Sequence, residues 1–385
     1  MLASLVLFAA ALFSAQVDED KVGTGCNFCK NRGAVACERH DKHLLPLEEQ
    51  VRFCSVAASC KDCQGALLVD CKRCSGGPDS VTLEKRLLTY ERFLESPSGP
   101  EELFKRPMPR IVTDHYDLII DVAKLKDGSR KLNGHEVAHL MAVELEKAAE
   151  LLNSHFGAKP FNTSRRTRIW YWNTLKDHKR VNLDLLKQNS EMGFSLYGVA
   201  PASSDWAGSK GLEFKAMNVV SNAVHKGTHL RLSNLFRVEW IGNKKAGWFD
   251  IGAAHWYEDK LFQRVSTYCI DEANNDLDYE GGKWRVAMRK YLNKNRDGIL
   301  PELVSKVSGT LRDYEHALAW SLYDWVASEH PKALKPLLMG YKDRVESRDL
   351  FRKHLDMNVI QVEVAWREWV AATYPVKDPK PRKKL

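Results

Sequence analysis

Long hydrophobic runs are almost missing from this 385-residue chain. One stands at residues 2 to 15, LASLVLFAAALFSA, and no later segment has the ~20 apolar residues that a membrane-spanning helix needs. An arginine-aromatic stripe is also absent, so a net charge of +8 gives no reason to expect nucleic-acid binding. The densest positive cluster, KDPKPRKKL at the C-terminus, has no apolar residue to bury before Leu385 and is read as a solvated tail over 376–385. Cysteine is scarce too after residue 74: eight of the nine fall between Cys26 and Cys74, leaving only Cys269 beyond.

The run at 2 to 15 is followed at once by Gln16 and VDED, which gives it the shape of a signal peptide, although no basic residue precedes it. Residues 1–16 are therefore expected to direct export to a periplasmic or extracellular space and to leave no integral membrane anchor. A buried N-terminal helix is the competing reading. A lipid anchor does not fit, because charged residues separate Cys26 from the apolar run.

Residues 17–80 hold a repeat, CNFCKNRGAVACERH and CKDCQGALLVDCKRC. Each copy opens with Cys-x-x-Cys (Cys26 and Cys29; Cys60 and Cys63), crosses seven residues and closes with a second pair, Cys37 with His40 and Cys71 with Cys74. Eight ligands in matching register predict two zinc ions, each in a closed tetrahedral set, which is a structural role. Disulfides compete with this reading in an exported chain, but frameworks of repeated x2 pairs are unusual among them. Thiol-disulfide or chaperone-like chemistry at these pairs would need a free thiolate, which zinc would remove. Cys54 remains open as a core thiol, a ligand replacing His40, or a partner of Cys269. With Gly33, Gly65 and Ser75-Gly76-Gly77, the segment resembles the cysteine-rich zinc domain of DnaJ-type chaperones over about fifty residues. In that family ligand pairs cross between distant motifs; spacing leaves open whether the pairing here is local or interleaved.

SGGPDS and SPSGP bracket a helix-like connector, so residues 81–109 are expected to separate the module from a larger domain at 110–375. On that basis truncation near residue 100 is expected to leave the larger domain folded. Its opening pattern predicts a strand at 115–122, an amphipathic helix from about 135 to 155 and a strand at 166–172. From about 281 the sequence reads as helix, with Trp320, Tyr323 and Trp325, and Trp366 and Trp369, at spacings that suit buried faces. The fold class is α+β, with a small sheet and a large helical lobe.

VVSNAVHKGTHLRL at 219–232 and GWFDIGAAHWYED at 247–259 resemble the gluzincin, or peptidase MA-like, metallopeptidases, and FRKHLDMNVIQVEVAWREWVAATYP resembles their closing helices. In that group a His-Glu-x-x-His helix gives two zinc ligands and a base, and a following Trp-Leu-x-Glu-Gly helix gives the third ligand. Here the resemblance makes His225 and His229 a remnant of the metal site, with Lys226 at the base position and Ile251 at the third-ligand position. A lysine is the wrong charge for proton abstraction beside a metal, and isoleucine ligates nothing, so the expected reading is a pseudoenzyme. It would bind a protein or peptide partner or serve assembly. Ile251 is expected to face the two imidazoles; Asp250 or Glu258 within reach of both would count against the reading. The alternative is an active zinc peptidase built on the intact HEVAH at 135–139, with His135 and His139 as ligands and Glu136 as base; the bland counterpart is a helix N-terminus with partly buried histidines.

Overall fold

The computed structural model describes residues 25–38, 51–54, 60–64, 66, 68–74, 76–78, 80, 83–84, 98–106, 108–122, 124–157, 166–187, 199–203, 215–268, 279–295 and 298–377. The run at 2 to 15, His40, Cys269 and the tail from 378 lie outside these residues, as do the side chains of Cys54 and His135.

Helix and sheet are mixed, as expected for an α+β chain. Strand β1 (Ala34–Ala36) pairs antiparallel with β3 (Leu68–Asp70), while β2 (Val51–Cys54), between them in sequence, joins a different sheet. That sheet also contains β4 (Arg110–Thr113), β5 (Tyr116–Asp121), β8 (Thr167–Trp172) and β9 (Val199–Ser203), in the order β2-β4-β5-β8-β9. β2, β4 and β5 are antiparallel neighbours, and β5, β8 and β9 run parallel. A parallel pair needs a crossover, and helix α2 (Gly134–Phe156) supplies it between β5 and β8. β5 and β8 match the expected strands closely, because their aliphatic and aromatic runs are buried on the sheet. A short hairpin, β6 (Leu125–Asp127) and β7 (Arg130–Leu132), turns through Gly128 at φ +60° before α2 begins.

The sheet crosses the boundary that the linkers predict. β2 falls inside segment 17–80, yet its register sets Val51 opposite Thr113 and Cys54 opposite Ile111. Cys37 and Cys63 likewise belong to the apolar cluster formed by Ile111, Leu118, Val137 and Ile169. Breaker-rich linkers mark where the chain turns, not which strands later pair.

Helix α1 (Gly99–Phe104) precedes the sheet, and α3 (Leu175–Asp184) connects β8 with β9. Then come the buried helices α4 (Ala216–Asn234) and α5 (Gly247–Phe262), followed by α6 (Trp284–Lys294), α7 (Leu300–Leu303), α8 (Asp313–Glu329), α9 (Leu334–Lys342), α10 (Ser347–Leu355) and α11 (Val359–Thr373). Their core closes on Trp248, Trp284, Trp320 and Trp366, all fully buried. Three of these indoles donate: Trp248 to the Tyr341 hydroxyl at 2.9 Å, Trp284 to Tyr279 O at 2.8 Å and Trp366 to Ser321 Oγ at 3.1 Å. No helix among the described residues is long and apolar enough to cross a membrane.

Candidate metal centres

The first centre follows from the β1–β3 register. Ala34 lies opposite Asp70 and Ala36 opposite Leu68, so the residues before β1 meet those after β3. Cys71 N–H accordingly donates to Gly33 O at 2.9 Å. The outcome is interleaved: Cys26, Cys29, Cys71 and Cys74 converge as one group, and Cys37, Cys60 and Cys63 as another. Gly33, at φ +84°, is required at this junction, because a Cβ there would come within 2.1 Å of Gly77 N.

Cys26 and Cys71 sulfurs are 3.7 Å apart, Cys29 and Cys74 3.5 Å, and Cys37 and Cys60 3.8 Å. A tetrahedral ion with sulfur bonds of about 2.3 Å separates its ligands by roughly 3.8 Å. A disulfide would hold its sulfurs at about 2.05 Å. None of the seven cysteines whose side chains are described is joined in a disulfide. Burial works against ionisation of Cys29, but the Gly33 N–H and the thiols of Cys74, Cys26 and Cys71 outweigh it and bring the group down to about 6. Both cysteine groups can hold a metal ion. His40, the fourth ligand expected beside Cys37, Cys60 and Cys63, lies outside the described residues.

The second centre lies where α4 packs on α5. His225 and His229 are one helical turn apart, and their Nε2 atoms stand 3.2 Å from each other. Each ring has a carboxylate at its other nitrogen: Glu258 Oε2 is 3.3 Å from His225 Nδ1, and Asp250 Oδ1 is 3.1 Å from His229 Nδ1. Glu258 Oε2 is also 4.0 Å from His255 Nδ1, and His255 Nε2 is 2.9 Å from His316 Nδ1 on α8. Ser266 donates to Glu258 Oε1 from its backbone N–H at 2.8 Å and from its hydroxyl at 2.9 Å. All six of these histidine and carboxylate residues are at most 1% exposed. Burial opposes ionisation of Glu258, yet His225 and His255 hold its carboxyl below the usual value.

His225, His255 and Glu258 form a group that can hold a metal ion. The structure thus brings the expected pair, His225 and His229, together, and divides the two carboxylates between them. Ile251 is buried in the apolar core of the helical lobe with Trp248 and Phe249. Lys226 follows His225 on α4 and is 8% exposed. His255 and His316 were not among the expected ligands. The spacing His255-x-x-Glu258, which places both on one helical face, was the signal within reach of sequence reasoning. His316 had none, since it arrives from α8.

At HEVAH, Glu136 serves the helix end. Asn133 caps α2, and Glu136 closes the capping box by accepting from Asn133 N–H at 2.7 Å. His139 is buried, and among the described residues no three-donor group contains His139 or Glu136. Comparison with models of known protein families and with characterised proteins finds no match.

Proposed function

We propose that this chain is an exported zinc-binding protein in which two interleaved cysteine sites are structural and the larger domain is a degenerate, non-catalytic relative of the gluzincins serving binding or assembly. The observation that carries the proposal is the convergence of Cys26, Cys29, Cys71 and Cys74 at separations suited to one tetrahedral ion. Four protein sulfurs leave no position for a reacting water, which makes such an ion a staple. For the second group of Cys37, Cys60 and Cys63 the sequence repeat offers His40 as the fourth ligand. Zinc is the favoured metal because thiolate and imidazole ligands in tetrahedral array suit it.

The packing of α4 against α5, with His225 and His229 side by side, supports the family likeness. Three features support the lack of peptidase activity. By its place in the sequence motif Lys226 falls at the base position and Ile251 at the third-ligand position, and the histidines are sealed from solvent, where a peptide does not reach. Glu136 is engaged at its helix end, which favours this reading over catalysis at HEVAH. Export rests on the run at residues 2 to 15.

X-ray absorption on the purified chain tests the proposal: the expected result is a zinc edge with a sulfur-dominated first shell and at least two ions per chain. Peptide substrates should survive incubation with it. An oxygen-dominated shell, or chelator-sensitive cleavage that His229→Ala abolishes, would overturn it.

A further inference from the structure

The cluster between α4 and α5 contains more donors than the resemblance assigns it, and their arrangement is ordered. His225, His255 and Glu258 each offer a donor atom within 4.8 Å of the other two, and Glu258 Oε2 is the carboxylate atom that approaches both His225 Nδ1 and His255 Nδ1. For donors about 2.1 Å from an ion, separations of roughly 3 to 4 Å are expected; the two carboxylate-imidazole separations here are 3.3 Å and 4.0 Å.

The other polar atoms of these three side chains are each held by a neighbour. His225 Nε2 meets His229 Nε2, whose ring is anchored at Nδ1 by Asp250. His255 Nε2 meets His316 Nδ1, and Glu258 Oε1 accepts both Ser266 donors. A metal site has this pattern, because ligand imidazoles have their outward nitrogens fixed by a second layer that sets tautomer and ring orientation. Asp250 and Glu258 also bring negative charge into a fully buried cluster, which a divalent ion offsets.

We infer that His225, His255 and Glu258 bind a third metal ion, a divalent transition ion of the zinc class, and that His229 acts from behind His225 as a positioning residue rather than as a ligand. The two readings of the histidine pair are distinguishable. If the facing Nε2 atoms of His225 and His229 were the ligands, a third donor would have to join them, and among the described residues no three-donor group includes His229. A three-donor set of two imidazoles and a carboxylate leaves a position for water. Enclosed as it is, the ion would fasten α4 to α5 and, through Ser266, to the segment after α5. The inference goes beyond the cysteine sites and stands without them.

The test is metal counting and cobalt substitution on the full chain. Replete protein should hold three ions, and cobalt should add weak visible ligand-field bands to the intense sulfur charge-transfer bands of the cysteine sites. His255→Ala and Glu258→Gln should each lower the count by one and remove only the weak bands. His229→Ala should retain the third ion with weakened affinity. Loss of sulfur bands would count against the cysteine sites alone. A wild-type count of two with sulfur bands only would overturn the inference even if every variant misfolds. So would loss of the third ion in His229→Ala with retention in His255→Ala.

Discussion

Lys342 carries its amine into the protein to meet three main-chain carbonyls, those of Ser233 at 2.8 Å, Leu235 at 2.7 Å and Arg237 at 2.5 Å. Ser233 lies in the last turn of α4, where carbonyls have no helical partner, and Leu235 and Arg237 follow it. Burial, with a smaller contribution from Arg237, pushes this amine down to about 7, against a small opposing pull from Asp250. A lysine depressed in the folded state binds fewer protons there than in the unfolded chain between about pH 7 and the ordinary lysine range. Stability therefore rises with pH across that window, and below it the cost of burying the charge is present in full. Compared with Lys342→Met, wild-type protein should gain on the order of a few kcal/mol between pH 7 and 10. Denaturant melts of both proteins at several pH values check this; parallel curves would remove Lys342 as the cause. The sequence shows Lys342 only as one more basic residue on a helix, because its partners lie more than a hundred positions away.

Among the elements, α5 and α8 approach so closely that glycine is required between them. A Cβ on Gly252 would lie 2.4 Å from Ala319 O, a main-chain atom that cannot step aside. On α4, a Cβ at Gly227 would meet Leu145 Cδ2 at 3.0 Å, the end of a side chain that can turn. Helix propensity alone favours alanine at both sites by about 1 kcal/mol. Gly252→Ala is nevertheless expected to destabilise by about 1–3 kcal/mol or more, through overpacking, and Gly227→Ala to stay near neutral. Thermal melts of the two variants compare them directly, and equal effects would refute the distinction. Periodicity made α2, β5 and β8 legible, since each buries a regular face. It did not show β4, the β6–β7 hairpin or β9, which are short and take their pairing from neighbours. HEVAH shows a limit of motifs: Asn133-x-x-Glu136 is also a capping box, and the helix end uses it as one.

For the whole molecule, β2 ties the cysteine-rich segment to the sheet. A chain beginning at residue 98 would lose that strand, leave β4 with an unpaired edge and uncover the apolar surface that Cys37 and Cys63 help to close. Its melting temperature is expected to fall by several degrees or more, with greater aggregation; differential scanning calorimetry against the full chain checks it, and an unchanged transition would mean that the two parts fold independently. The sequence by itself determined the repeated spacing of cysteine pairs, the mixed class, the leading strand-helix-strand unit and the nearness of His225 to His229. All of these rest on spacing along one element or on local periodicity. Tertiary structure alone decided which cysteines share a group, because antiparallel pairing sets the start of one strand against the end of the other. It alone brought Asp250, Glu258, His255 and His316 to the buried histidines, since a site built from three helices exists only once those helices have packed.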